Sequence, residues 1–353
     1  MRRKIKVALI GVGNCASSLV QGIQYYTLNN TNVGLMHPDI GGYKVSDILV
    51  VAAFDVDKRK VGSDLARAIF APPNCTKKII DVPQTGIIVN KGPVMDGVAK
   101  HMEDIFLTDK SQKTSNVKRI LKNSGAEMFI CYLPVGSVRA TRYYAQAALD
   151  TGVGFINAIP EFICSNNSWI SRFQEKGLPC AGDDIKSQVG ATILHRTISR
   201  LIQDRGQKID TMYQLNIGGN TDFLNMTDKT RIVSKRKSKT QAVMSILDDK
   251  VIQVHIGPSD YVSYLKDNKI CYLNIKGRQF AEMPFDLDVK LSVEDSPNSA
   301  GVMVDVIRAF KLAIDRGITG HLTEVSSYAF KSPRTQYRDE EAKNRFEKFI
   351  NST

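Results

Sequence analysis

Several features are scarce in this chain, and each shortage excludes something. Its 353 residues hold one tryptophan and six cysteines, at positions 15, 75, 131, 164, 180 and 271, with no CxxC pair among them. That spacing supports neither a zinc ribbon nor a disulfide framework and points to reduced, mostly buried thiols. The five histidines form no HExxH pair and the chain has no GxSxG elbow, which removes two common hydrolase classes. No apolar run reaches the ~18 residues that a membrane-crossing helix needs. The start is basic, but only Val7–Ile10 follow as an apolar run, too few for a signal-peptide core, so the expected location is cytoplasmic. No internal repeat and no low-complexity segment is visible.

What is present suits a folded protein of two domains or one large one. Apolar residues make up 42%, and the net charge is +12. An excess of cations can serve nucleic acid, an anionic membrane or a phosphorylated substrate, but most such charge is solvated surface. The densest basic run, Arg231 to Lys239, has no aromatic side chain to stack on bases. Neither nucleic acid nor membrane is therefore expected as a partner.

The informative stretch lies near the start. Val7–Ile10 reads as a buried strand, Gly11-Val12-Gly13 as a turn, and Asn14-Cys15-Ala16 as the opening of a helix. Strand, glycine turn and helix in that order form a dinucleotide fingerprint. Gly11 permits the tight turn, Gly13 lets backbone approach a pyrophosphate, and the helix N–H groups face the anion. Ala16 stands at the third glycine position, where a small side chain suffices for packing. A helix N-terminus lowers a thiol pKa, but Cys15 in such a loop reads as a small packing residue. The next strand, residues 48–54, closes on Asp55, whose carboxylate suits the two ribose hydroxyls of NAD and would repel the extra phosphate of NADP. Asp57 is the runner-up. The interval from Gly13 to Asp55 exceeds the usual ~20 residues, so residues 28–46 must be an insertion.

The strand-then-loop grammar repeats at residues 126–133, 154–160 and 178–184, with helices expected at 62–70, 113–123, 139–151 and 187–205. Strands alternating with helices predict an α/β, Rossmann-like, doubly wound parallel sheet. After residue 205 the pattern changes. Strands at 211–217, 251–256, 270–275 and 289–293, with helices at 238–248 and 300–316, predict a second, largely antiparallel α+β unit. The C-terminal helical stretch is expected to return to the first unit.

Polar elbows at strand ends are the candidate chemistry. They are Pro134-Val135-Gly136-Ser137, Asp183-Asp184-Ile185-Lys186-Ser187-Gln188, Gly218-Gly219-Asn220 through Asn225, and Glu294-Asp295-Ser296. Each could equally be a capping turn. Lysine ammonium groups near such turns, at 235, 239, 269, 290 and 331, could stabilise an alkoxide or enolate. Spacing alone does not choose among them.

Together these segments resemble the myo-inositol-1-phosphate synthase family in its shorter bacterial and archaeal form. The resemblance rests on Gly11 to Ser18, Val51 to Asp57, Tyr132 to Ser137, Gly182 to Gln188, Asn216 to Asn220, Ser238-Lys239-Thr240, Glu294 to Gly301 and Lys331-Ser332-Pro333, and it spans nearly the whole chain. The resemblance implies conversion of D-glucose 6-phosphate to 1D-myo-inositol 3-phosphate with NAD as a recycled cofactor. It implies a division into 1–186 completed by 297–353, which binds NAD, and 187–296, which carries catalysis and tetramer contacts. The implied catalytic residues are Lys235, Lys239, Lys269, Lys331, Asp183 and Asp295, with Lys290 competing with Lys269. The implied cofactor contacts are Gly11, Gly13, Asn14, Cys15, Ala16, Asp55, Pro134, Gly136, Ser137, Asp183 and Ser296. The implied phosphate contacts are Ser187, Gln188, Gly219, Asn220 and Asn225. An activating cation of unknown identity accompanies some members, and no motif here fixes a metal site. Self-association as a homotetramer is expected by the same resemblance.

Overall fold

The computed structural model describes residues 4–231, 238, 242–243, 245 and 252–352. The expected helix at 238–248 falls largely outside them, as do Lys235 and Lys239. The first strand, β1 (Ile5–Ile10), shows how the chain organises itself. Ile5, Val7 and Leu9 turn to one face, Ala8 and Ile10 to the other, and all five are fully buried. A strand apolar on both faces belongs inside a parallel sheet covered by helices on both sides. It is joined by β2 (Ile48–Asp55), β3 (Val89–Lys91), β4 (Met128–Cys131), β5 (Gly154–Asn157), β6 (Pro179–Gly182) and the two-residue β11 (Gly320–His321). The spatial order is β11-β6-β5-β4-β1-β2-β3, with every pair parallel. Strand order reverses between β1 and β4, and a ligand crevice is expected at the carboxyl ends there.

Helices α1 (Asn14–Leu28), α2 (Leu65–Ala68), α3 (Val117–Ser124), α4 (Val138–Thr151), α5 (Asn167–Glu175), α6 (Ala191–Asp204) and α7 (Thr221–Asn225) precede a long α8 (Asp295–Asp315), then α9 (Thr323–Ala329) and α10 (Asp339–Asn351). On one face of the sheet, Val7 and Leu9 share a core with Met303, Val306 and Phe310 of α8 and with Phe346 and Ile350 of α10. On the other, Ala8 and Ile10 share a core with Tyr144 and Ala148 of α4 and Phe173 of α5. The C-terminal helix thus packs on the first sheet.

The second sheet is built from β7 (Lys208–Gly218), β8 (Gln253–Tyr261), β9 (Asn268–Arg278) and β10 (Pro284–Glu294), in the order β10-β9-β7-β8. Its pairs are antiparallel except β7 with β8. The α/β class with a second sheet unit matches the expectation, and three boundaries differ for physical reasons. α6 starts at Ala191 rather than near 187, because Lys186 N and Gln188 N donate to Ala329 O (2.9 Å) in α9 and Asn298 O (3.1 Å) in α8. α8 starts at Asp295 rather than 300, since Pro297 lies in the first turn, where its missing N–H costs nothing. The expected helix at 62–70 contracts to four residues. The unexpected α5 carries a readable start signal: Asn166 Oδ1 accepts from Ser168 N (3.0 Å) and Trp169 N (3.3 Å).

The insertion between β1 and β2 lies on α8. The buried Arg308 donates to His37 O (2.8 Å) and Pro38 O (3.2 Å), while His37 itself pairs with Asp305 and with Glu347 (3.0 Å).

Candidate active site

A single cavity runs along the carboxyl edge of the parallel sheet. It is lined by Gly11 and Gly13 after β1, Asp55 at the end of β2, Leu133 and Pro134 after β4, Ile159 after β5 and Asp184 after β6. The second sheet and α8 close it with Gln214 and Asn216 from β7, Lys269 from β9 and Asp295 and Ser296. This is where the strand order predicts a ligand.

The glycine turn is built as its sequence suggested. Gly11 sits at φ +88°, and a side-chain carbon there would meet Tyr132 O at 2.8 Å. Gly13 caps α1 in an extended conformation, with nothing within 4 Å of a carbon added to it. No side chain caps α1, so its first N–H groups remain available to an anion. Ala16 lies in the core as the packing residue between helix and sheet. Asn14 is turned sideways: its Oδ1 accepts from Cys75 N (2.7 Å) and Thr76 N (3.2 Å), tying the 74–76 loop to the turn. Cys15 lines the cavity, and burial beside Asp267 and Asp295 pushes its thiol up to about 12. It is a neutral packing residue, and the helix terminus does not activate it.

Asp55 is held in place by Val12 N (2.7 Å), Val56 N (2.7 Å) and Asp57 N (2.9 Å). Its rival Asp57 is buried and bound to Arg59 instead. Of the loop after β4, Pro134 reaches the cavity. Gly136 and Ser137 lie under Arg231, whose Nε donates to Val135 O at 3.0 Å, and neither lines the cavity.

The two adjacent aspartates divide. Asp183 is fully buried and faces away from the cavity, accepting from Asn157 Nδ2 (2.7 Å), Cys164 N (3.0 Å), Ser165 N (3.0 Å) and Ser165 Oγ (2.7 Å). Burial raises its carboxyl to about 7 in spite of these donors. Asp184 lines the cavity. Its Oδ1 accepts from Lys331 Nζ at 2.9 Å and its Oδ2 from Ser238 Oγ at 2.7 Å. Lys331 Nζ also donates to Ile185 O at 2.7 Å. Asp183, expected beside the reacting groups, is not among the residues lining the cavity, whereas its neighbour Asp184 is.

Across the cavity Lys269 Nζ donates to Asp295 Oδ1 at 3.0 Å. Lys290 is not among the lining residues and stands over the Tyr272 ring, 5.7 Å from its centroid. The structure brings two lysine–carboxylate pairs, Lys269–Asp295 and Lys331–Asp184, to one cavity. Ser187, Asn220 and Ser296 line it as well. Gln188 does not: its Nε2 donates to Gly34 O at 2.8 Å on another face. Gly219 is packed against Val262 and Lys266 backbone, and Asn225 Nδ2 donates to Val135 O at 2.9 Å. None of these three is among the residues lining the cavity.

Four charged or polar residues at the site had no role assigned from the sequence. Lys60, 1% exposed, donates to Val12 O (2.9 Å) and Asn74 Oδ1 (2.8 Å) at the turn, and burial lowers its pKa. Asp267, also 1% exposed, accepts from Asn220 Nδ2 (3.0 Å) and Ser296 Oγ (2.9 Å), and burial raises it to about 6. Gln214 and Asn216 are polar residues two apart on the inward face of β7, a signal visible in the strand alternation. Among the described residues no group of three His, Cys, Asp or Glu side chains is placed to hold a metal ion, and no helix is long and apolar enough to cross a membrane.

Residues 190–296 match the profile of the myo-inositol-1-phosphate synthase family. An inositol-3-phosphate synthase of Mycolicibacterium smegmatis is 51% identical over 98% of this chain and 98% of its own. One from Corynebacterium glutamicum is 49% identical, again over 98% of both. The crystal structure of a myo-inositol-1-phosphate synthase-related protein from Thermotoga maritima superposes with a TM-score of 0.82 at 22% identity, covering 99% of this chain and 98% of that one. This last likeness speaks for the fold, whereas half the residues in common along nearly the whole length speak for descent. The chain belongs to the inositol-3-phosphate synthase family of enzymes.

Proposed function

We propose that this chain converts D-glucose 6-phosphate to 1D-myo-inositol 3-phosphate with NAD held in the same cavity. The observation carrying this reading is that a glycine turn with an uncapped helix end, a fixed carboxylate at the end of β2 and two lysine–carboxylate pairs all line one cavity. The residues fit the cofactor. Gly11 and Gly13 leave the turn open to a pyrophosphate, and Asp55 is held rigid by three N–H donors, two on Oδ1 and one on Oδ2, with one Oδ2 lone pair left for a ribose hydroxyl. When bound, NAD supplies a hydride acceptor and returns the same hydride, so the reaction has no net redox change.

The chain's own residues carry the rest. A ketone at C5 of the sugar acidifies the C6 protons, and transfer of one to a carboxylate of the site, Asp184 or Asp295, gives an enolate. Attack of C6 on the C1 aldehyde closes the ring and leaves an alkoxide. Both anions need preorganised positive charge in a water-poor site. Lys331 spends two of its three donors on Asp184 and Ile185 O, which aims the third at a substrate oxygen. Lys269 is held likewise by Asp295. Each ammonium can neutralise a developing oxyanion or give it a proton, while Asp184 and Asp295 keep the lysines charged and aimed. Lys235 and Lys239, outside the described residues, are proposed to complete the set. Ser187 and Asn220 are proposed to contact the phosphate. The reading includes a cytoplasmic homotetramer that associates through the unit 187–296, and a division into that unit and 1–186 with 297–353.

The test is incubation with glucose 6-phosphate and NAD. Inositol phosphate should form without stoichiometric NADH. NADH accumulating in step with product would instead indicate an ordinary dehydrogenase. Sedimentation of the active enzyme tests the tetramer.

A further inference from the structure

Lys60 lies shortly after β2 and reaches back to the glycine turn, where it lines the cavity although it is almost completely buried. Its Nζ donates to Val12 O at 2.9 Å and to Asn74 Oδ1 at 2.8 Å. Both acceptors are neutral. Among the described residues Lys60 forms no ion pair: Asp57 is taken by Arg59, and Asp55 by three backbone N–H groups. Burying an ammonium without a counter-ion is costly, and burial lowers the Lys60 pKa. The anion that this end of the cavity is shaped to receive is a pyrophosphate.

The Val12–Gly13 peptide is trans, so the Gly13 N–H points away from Val12 O. Val12 O is turned to Lys60 and to Asn74, whose Nδ2 also donates to it at 3.0 Å. The Gly13 N–H is thereby aimed to the opposite side. It has no partner among the described residues, and no side chain caps the helix that follows. Asn74 would keep this orientation without the lysine, since its Nδ2 also donates to Ile69 O at 2.9 Å. What Lys60 adds is charge. A cation on the carbonyl end of a peptide polarises it and strengthens the N–H at the other end as a donor. Out of water, its field also reaches an anion on the far side of a single peptide plane.

We propose that Lys60 is a positioning residue of the NAD site: its buried positive charge, acting through the Val12–Gly13 peptide, holds the pyrophosphate of the cofactor at the glycine turn. The same charge offsets part of the repulsion that Asp55 exerts on that group, so one turn can offer a carboxylate to the ribose and still accept the anion beside it. The bound anion in turn favours the charged form of the amine. This inference rests on the reading that NAD occupies the cavity.

The test is calorimetric binding of NAD, ADP and adenosine to the full-length protein freed of nucleotide. Lys60→Gln keeps a neutral donor near Val12 O and removes the charge, whereas Lys60→Met removes both. Each variant should bind NAD and ADP about tenfold or more weakly, and adenosine, which has no phosphate, within about twofold of the wild type. Wild-type affinity for NAD and ADP in Lys60→Gln overturns the proposal, because a neutral donor would then suffice. So does a loss for adenosine equal to that for ADP, the mark of a merely structural role. If the variants fail to fold, the wild type decides: nitrogen NMR of Lys60 Nζ in the NAD-bound protein should show an ammonium at neutral pH, and a neutral amine overturns the proposal. A wild-type protein that binds no NAD would instead sink the functional reading.

Discussion

Gly11 and Gly13 occupy the same turn, yet the structure assigns them different jobs, and replacing each by alanine separates fold from ligand. At Gly11 the backbone is at φ +88°, and the added carbon would stand 2.8 Å from Tyr132 O and 3.2 Å from its carbonyl carbon. Neither neighbour can yield easily, since Gly11 N donates to Phe54 O and Tyr132 N to Ile10 O, both at 2.8 Å. The left-handed conformation costs a residue with a side chain ~1–2 kcal/mol. Overpacking against fixed backbone adds ~1–3 kcal/mol. Gly11→Ala should therefore lose ~2–5 kcal/mol, a large share of the ~5–15 kcal/mol that holds a typical domain together. At Gly13 the backbone is ordinary and a carbon meets nothing within 4 Å. Reduced freedom of the unfolded chain favours alanine by ~0.4–1 kcal/mol. The poorer N-cap opposes this by a similar amount. Gly13→Ala should thus stay within ~1 kcal/mol of the wild type while its methyl group stands in the cavity and weakens NAD at least about tenfold. Urea unfolding of the apo protein and a direct NAD titration read the two effects separately. Equal stability losses, or wild-type NAD affinity in Gly13→Ala, would refute the assignment.

Other outcomes follow from named contacts. Lys269→Met should lower inositol phosphate formation by about 10²-fold or more, the usual cost of removing a preorganised charge from an active site, with NAD still bound; Lys290→Met, away from the cavity, should turn over nearly normally, and the reverse ranking in a product assay would exchange their roles. Lys331→Met should likewise lose cyclisation while retaining NAD, and normal turnover would remove Lys331 from the mechanism. His37, whose pKa is raised chiefly by its hydrogen bond to Asp305 and also by Glu347, stabilises the folded state fully below its ordinary value of 6.5. That contribution is lost as pH rises through the raised folded value, because the folded state then gives up a proton it held more tightly than the unfolded chain did. Urea unfolding across that window should show stability falling with pH in the wild type and a flatter curve in His37→Gln.

Much of the architecture is legible in the residues themselves. The apolar runs at β1, β2, β4, β5 and β6 announce a buried parallel sheet, and strict alternation announces β7, β9 and β10. Both signals are local, because side-chain direction in a strand repeats every two residues. Helix starts were less legible where partners distant in sequence decide them. α6 begins late because Asn298 and Ala329 take the amides of Gln188 and Lys186.

The residue types of the site were likewise available from the chain alone: glycines for a tight turn, a carboxylate at the end of β2, lysines near polar elbows and a run of motifs shared with one family. Which of them meet is a tertiary fact. Asp183 and Asp184 are neighbours in sequence, but Asn157, Cys164 and Ser165 claim the first and leave the second to Lys331. Lys269 and Lys290 lie on adjacent antiparallel strands, and only the packing of β9 against the start of α8 brings one of them to Asp295. Lys60 and Asp267 had no motif at all, because their place at the cavity comes from burial and from partners on other elements. The amino-acid sequence determined the class of fold and the chemistry available to it, since propensity, periodicity and side-chain type are properties of short stretches. The tertiary structure decided which side chains face the cavity, because desolvation and hydrogen bonding depend on groups far apart in the chain.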